Sequence, residues 1–280
     1  NNLIDLINIV ENYNLSENIE YNINIYKISL IKNDLINLNN MIGIKSIKEN
    51  ILNQVLFYIQ DFHLKTGNTY MHTVLNGPPG TGKTEIAKII GSIFSKIGIL
   101  KKGSFKKVVR SDLIAGYLGQ TAIKTKKVIE DAIGGVLFID EAYSLGNLDR
   151  QDSFSKECLD TLCESLSNHK HELMVIIAGY ENELNKCFFG MNIGLKSRFT
   201  WVYSTDESTP EELREILIKM IKEINWKIEN NALKLDFFTK NKKYFENFGR
   251  DMELLLLKIT ICHSRRVLFF EEELKTIITY

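Results

Sequence analysis

The sequence predicts an α/β fold in which a largely parallel sheet, covered by helices on both faces, is followed by a small all-helical domain. Two observations carry the prediction. Short runs dominated by Val, Ile and Leu, such as VLFI at 136–139 and MVIIA at 174–178, lack the polar alternation of a strand with one wet face, and they alternate with helical patterns. After Arg198 that alternation fades and helical patterns alone continue. The composition suits a globular chain with a sizeable core: 280 residues, 44% apolar and 25% charged. Three segments follow: an Asn-rich, helical extension over 1–40, an α/β core over 41–205 and a helical domain over 206–280.

The extension contains 12 asparagines, which weaken helices. Leu3, Ile4, Ile7 and Val10 nevertheless keep helical spacing, so the segment reads as helices packing on the core or as a partner-binding element. From Met41 the order is a helix at 47–62, the strand HTVLN at 72–76, a glycine loop, a helix at 83–97, a basic strand FKKVVRSD at 105–112 and a helix at 125–132. Next come the strand GVLFIDEA at 135–142, an amphipathic helix at 154–166 with Phe154, Leu159, Leu162 and Leu166 on its apolar face, and the strand LMVIIAGY at 173–180. Thr209-Pro210-Glu211-Glu212 supplies a cap residue, a first-turn proline and an acid three residues after the cap, which opens a helix running toward Ile228. Further helical patterns cover 240–248 and 251–270.

Gly77-Pro78-Pro79-Gly80-Thr81-Gly82-Lys83-Thr84 satisfies the full phosphate-loop pattern between a strand and a helix. The glycines let backbone N–H groups turn inward, and the helix contributes its positive end. Lys83 suits the β and γ phosphates of ATP, and the Thr84 hydroxyl suits Mg2+. The strand ending in Asp140 and Glu141 delivers both acids to the sheet edge where ligands bind. Alternation sends the carboxylates in different directions, Asp140 toward the magnesium shell and Glu141 toward an attacking water. The pair favours hydrolysis over transfer to a small molecule.

With these motifs in place, the chain resembles the AAA+ ATPases and, among them, the CbxX/CfqX family of red-type rubisco activases and their sporulation and secretion relatives. Tyr117-Leu118-Gly119-Gln120-Thr121 with Lys124-Thr125, the stretch from Gly134 to Leu145, Leu173 to Tyr180, and Gly194 to Phe199 carry the likeness, which covers about Met41 to the C-terminus. The resemblance implies a P-loop NTPase core with a helical lid and a homo-oligomeric ring, normally a hexamer, with ATP between subunits. It gives Arg198 the place of an arginine finger, Tyr117 and Leu118 the place of a pore loop gripping a protein or peptide client, and Ile42 and Gly43 that of the adenine-contacting turn. Two departures stand out. Tyr180 occupies the sensor position where the wider superfamily commonly has Asn. The lid helix reads Gly249-Arg250-Asp251-Met252 where the family tends to Gly-Asn-Ala-Arg, so Met252 stands at the sensor arginine's place and Arg250 becomes the substitute.

Charge separates the rival readings. With 35 basic and 35 acidic residues the chain lacks the broad positive surface of a duplex binder. Residues 101–127, with eight basic residues against Asp112, leave a local nucleic-acid channel open, and the lysines there could equally line the pore. An ATP-gated scaffold with little turnover is the third reading. Four scattered cysteines suggest a reducing compartment. Cys158 and Cys163, about 140° apart on a helix, do not form a zinc pair. The sequence has neither a membrane-length apolar run nor a signal-like start, and we expect a soluble, intracellular, most simply cytoplasmic protein. Its first residue is Asn, as in a trimmed or partial chain.

Overall fold

The computed structural model describes residues 2–12, 23–67, 69–117, 119–146, 152–205, 207–229 and 232–279. The chain divides into two compact units, residues 1–77 with 83–205, and residues 78–82 with 206–280.

The helices are α1 Leu3–Glu11, α2 Ile25–Leu30, α3 Lys32–Asn39, α4 Lys45–Ile59, α5 Phe62–Lys65, α6 Lys83–Lys96, α7 Arg110–Leu113, α8 Thr121–Ala132, α9 Ser153–Asn168, α10 Glu181–Glu183 and α11 Ile193–Lys196 in the first unit, then α12 Pro210–Glu223, α13 Leu235–Asn241 and α14 Gly249–Arg266 in the second. The strands are β1 Thr73–Asn76, β2 Phe105–Val108, β3 Val136–Ile139, β4 Met174–Gly179 and β5 Trp201–Ser204, with β6 Lys227–Ile228 and β7 Ile277–Ile278 in the second unit.

In the first unit the five strands are ordered β2-β3-β4-β1-β5 and every pairing is parallel. Residues of β3 and β4 alternate between the two cores. Val136, Phe138, Met174 and Ile176 pack with α1, α3, α4 and α6, whereas Leu137, Ile139, Val175 and Ile177 pack with α8 and α9. Both faces are therefore dry, as near-continuous apolar strands require. The Asn-rich extension belongs to the first core: Leu3, Leu6, Leu35 and Leu38 are buried in it, and Asp34 of α3 pairs with Lys96 at the end of α6 at 2.6 Å.

Several boundaries differ from the sequence reading for local reasons. The basic strand stops at Val108 because Asp112 accepts the Val109 N–H at 2.8 Å and starts α7. The acidic strand stops at Ile139, and Glu141 adopts left-handed backbone with φ 50°. A fifth strand follows Arg198, where fading alternation suggested none: Trp201 to Ser204 pair with Thr73 to Asn76.

The second unit is not purely helical. Its helix from Pro210 opens with the expected reciprocal cap, Glu212 N to Thr209 Oγ1 at 3.2 Å and Thr209 N to Glu212 Oε2 at 2.9 Å. It ends at Glu223, near Asn225 with φ 60°, and Lys227–Ile228 then pair in parallel with Ile277–Ile278. The pattern expected over 240–248 appears earlier, as α13. Leu213, Leu217, Ile221, Phe238, Phe248 and Met252 form this unit's core.

Candidate functional site

Three neighbouring strands, β3, β4 and β1, end at one edge of the sheet, and each is followed by a residue singled out in the sequence. The glycine loop leaves β1 beside β4, with the Gly77 N–H bonded to the Gly179 carbonyl at 3.0 Å. A Cβ on Gly77, whose φ is 144°, would fall on Thr205 Oγ1, so no other residue fits this exit. The Lys83 ammonium folds back onto the Gly77 carbonyl at 2.9 Å, at the start of the 14-residue α6. Thr84 is half-buried on the first turn of the same helix.

Residues 78–82 cluster with the second unit. Thr81 Oγ1 donates to the Pro78 carbonyl at 3.0 Å, and Gly82 has a left-handed φ of 79°. Pro79 is half-buried between them. The Gly80 carbonyl accepts the Gly249 N–H at 3.2 Å, and a Cβ on Gly80 would meet the Asn247 carbonyl oxygen. Phe248, buried at 5% exposure, holds φ 47° and ψ −107° at this contact, a strained backbone fixed by the core around it. Arg250 is exposed one residue beyond Gly249, whereas Met252 is fully buried in the core of the helical unit. The position where the resemblance leads one to expect a sensor arginine is thus an interior position, and Arg250 lies beside the loop.

β3 has ended before Asp140 and Glu141, so strand alternation does not govern them: Glu141 stands in a left-handed turn, and both residues line the same cleft. The Glu141 N–H bonds Asp140 Oδ1 at 3.1 Å. Lys107 of β2 pairs with Asp140 Oδ2 at 2.6 Å, a contact that strand adjacency produces and no local motif announces. Tyr143 packs on Gly179, where a Cβ would strike its ring, and its ring centre is 6.1 Å from that of Tyr180. Burial first, then the charge of Glu141 and other groups nearby, pushes the Tyr143 hydroxyl above its ordinary pKa. Tyr180 is 44% exposed. An open cleft of about 440 Å³ runs beside this turn, with Asp140, Glu141 and Ser144 on one side and Val109 to Ser111 with Ile114 on the other. Ammonium, hydroxyl, carboxylate pair and helix N-terminus form a donor set that fits ATP with Mg2+.

Arg198 precedes β5 at the opposite edge, its Nε bonded to Ser167 Oγ at 2.7 Å and its Nη1 to the Gly194 carbonyl at 2.5 Å. Ile42 and Gly43 form a half-buried turn into α4, left-handed at Gly43 (φ 70°) and Ile44 (φ 49°) and closed by Lys48 Nζ on the Met41 carbonyl at 2.6 Å. Tyr117 is 75% exposed on its loop, so it is not tucked beneath it, and Leu118 lies outside the described residues. Four of the eight basic residues of the run face acids distant in sequence: Lys101 pairs with Glu172, Lys106 with Asp131, Lys107 with Asp140 and Arg110 with Asp152. Lys124 donates to the Ser111 and Ile114 carbonyls at 2.6 and 3.0 Å. Among the described residues no cluster suits a metal held by His, Cys, Asp and Glu alone, and no helix is long and apolar enough to cross a membrane.

Residues 73–219 match the profile of the ATPase family associated with various cellular activities. A cfxQ-like protein of Acanthamoeba polyphaga mimivirus is 40% identical over 250 residues, 89% of this chain and 61% of that protein. Stage V sporulation protein K of Bacillus subtilis is 34% identical over 249 residues, 84% of this chain and 76% of that one. Among solved structures, the FIGL-1 AAA domain superposes with a TM-score of 0.63 at 19% identity, covering 94% of this chain and 88% of that one, a likeness of fold. The chain therefore belongs to the AAA+ ATPases, proteins that bind and hydrolyse ATP, and within them to the group that holds the CfxQ-like proteins and stage V sporulation protein K.

Proposed function

We propose that this chain is the motor of an ATP-driven protein remodeller that assembles as a homo-oligomeric ring, a hexamer, and draws a polypeptide client through its centre. The placement of Arg198 carries the reading. Trp201 pairs with Thr73, so Arg198 lies beyond the start of β1, while the phosphate loop leaves its end after Asn76. Four residues of strand, about 13 Å, separate those edges. A guanidinium there is poorly placed for its own loop, and it would serve a neighbour's by exchanging its bonds to Ser167 and Gly194.

In this reading Lys83 balances the charge of the β and γ phosphates, and Thr84 with Asp140 holds the magnesium shell. When bound, magnesium neutralises the charge that develops on the phosphoryl oxygens. Glu141, exposed and tied through its backbone to Asp140 and Ser144, orients the attacking water and takes its proton. Tyr180 and Arg250 sense the nucleotide from the end of β4 and from α14, and Ile42 with Gly43 borders the adenine. Tyr117 with Leu118 meets the client. The four acid partners of the basic run weigh against a nucleic-acid channel. The chain spans 61% of the mimivirus relative, so client and assembly are proposals for the portion in hand.

Mixing an Arg198→Ala subunit with a Glu141→Gln subunit tests the trans placement. Neither homogeneous ring hydrolyses well, a finger being worth about three orders of magnitude in turnover. Mixed rings regain activity where the second subunit donates its arginine to the first. Inactive mixtures, with mixed rings verified by native mass measurement, overturn the placement. Lys83→Ala is expected to weaken nucleotide binding, and Glu141→Gln to keep it. Stimulation of turnover by unfolded polypeptide, and not by single-stranded nucleic acid, is the expected client signature.

A further inference from the structure

One guanidinium joins the turn that carries Glu141 to the loop that carries Tyr117. Arg110 opens α7, a helix of four residues. Its Nη1 donates to the Ser144 carbonyl at 2.6 Å and to Ser155 Oγ at 2.9 Å, and its Nη2 donates to Asp152 Oδ2 at 2.7 Å. Ser144 lies in the short 3-10 turn after Glu141, and its own N–H bonds the Glu141 carbonyl at 2.8 Å. The turn that holds Glu141 at φ 50° is thereby fastened at its far end. Asp152 is an anchored partner: it accepts the Phe154 N–H at 3.0 Å and the Ser155 hydroxyl at 2.7 Å. Burial alone would raise its carboxyl pKa, but the bonds from Ser155 and Arg110 hold it below the ordinary value. An arginine fork satisfied by three acceptors fixes geometry in a way that a lysine point charge cannot.

The other end of α7 is stitched to α8. The Ser111 and Ile114 carbonyls accept Lys124 Nζ, the Leu113 carbonyl accepts the buried Thr125 hydroxyl at 2.9 Å, and the Ala115 N–H bonds Thr121 Oγ1 at 3.2 Å. Only Gly116 separates Ala115 from Tyr117. A shift of the Ser144 turn is therefore presented directly to the root of the Tyr117 loop through about one helical turn of backbone.

We propose that Arg110 is a positioning residue that sets the turn bearing Glu141 and, by opening α7, carries displacement of that turn to the Tyr117 loop. The catalytic half rests on Glu141 being the base proposed above. The test places fluorotryptophan at Tyr117→Trp in the full chain, which has two tryptophans of its own, so a third fluorine resonance reports the loop. In the Arg110-intact protein a non-hydrolysable ATP analogue with magnesium shifts that resonance. Arg110→Met binds the analogue with affinity within about threefold, loses between about ten- and hundredfold in turnover as a displaced base would, and leaves the resonance unshifted. Arg110→Lys recovers only part of either signal.

Glu141→Gln, by contrast, loses turnover with the shift intact. If Glu141→Gln turns over fully, the base assignment fails while the resonance still judges Arg110. Should Arg110→Met not fold, Asp152→Ala with Ser155→Ala removes two of its three acceptors and answers the same question. Normal turnover and a normal shift in these variants overturn the proposal. A shift that survives while turnover falls overturns the link to Tyr117, as does a resonance that ignores nucleotide in the Arg110-intact protein.

Discussion

His72 gives the folded chain a pH dependence that can be worked out from its surroundings. The ring is fully buried at the start of β1, where Nδ1 accepts the Val175 N–H at 3.1 Å, which leaves Nε2 as the protonated nitrogen facing the Leu166 carbonyl at 3.4 Å. Burial is the main force lowering its pKa from 6.5 to about 4; the Leu166 carbonyl acts in the opposite sense, and the charge of Arg198 adds to the lowering. Because the folded value is depressed, the unfolded chain binds the proton first as pH falls. Stability is full above the unfolded pKa and is lost progressively down to the folded one. Complete loss amounts to about 3 kcal/mol, and about 2 kcal/mol of it is gone between about pH 7.5 and about pH 5. Urea unfolding followed by Trp201 emission in a Trp226→Phe background measures this, since Trp201 lies in the same unit as His72. His72→Gln should flatten the pH dependence by about 2 kcal/mol over that interval, whatever its absolute stability. Equal losses in His72→Gln and its parent would refute the argument.

Three further outcomes follow from the geometry. Lys107→Met deprives Asp140 of its 2.6 Å partner, so magnesium titrated against bound ADP should half-saturate at a lower concentration; an unchanged or higher requirement removes Lys107 from the metal's electrostatics. Met252→Arg supplies the arginine that the family resemblance leads one to expect but puts an unpaired charge at a position with 0% exposure, and should destabilise the helical unit by at least about 3 kcal/mol in chemical unfolding. Retention of stability with improved turnover would make Met252 a sensor site after all. Asp34→Ala removes the partner of Lys96, whose side chain is 42% exposed, and should cost about 1 kcal/mol and speed proteolysis within residues 2–39; an unchanged cleavage pattern would leave apolar packing alone holding the extension.

What the sequence disclosed follows from how local each signal is. The glycine loop, the cap at Thr209 and the double-sided strands state their structure within a few residues, and each was legible. Trp201–Ser204 was not, because its burial alternates over four residues and only pairing with β1 makes it a strand. The two-residue ladder of the helical unit brings together chain segments about fifty residues apart, beyond the reach of periodicity. At the site, residue identity pointed to Asp140 and Glu141, but the turn that sets them depends on one left-handed residue. Lys107 and Arg110 stood in the sequence as members of a charge run; the acids that give them meaning come from β3 and from the start of α9.

The base of the Tyr117 loop is sewn down by Thr121, Lys124 and Thr125, while added Cβ atoms at Gly116 and Gly119 would find nothing within 4 Å. Gly119, at φ 76°, still calls for glycine, but folding places little demand on the exposed side chain at position 117, and selection there can act on use alone. If the loop meets a client as proposed above, a change at this exposed tip alters what is gripped without renegotiating the core, and related chains can diverge in clientele while their nucleotide machinery stays the same.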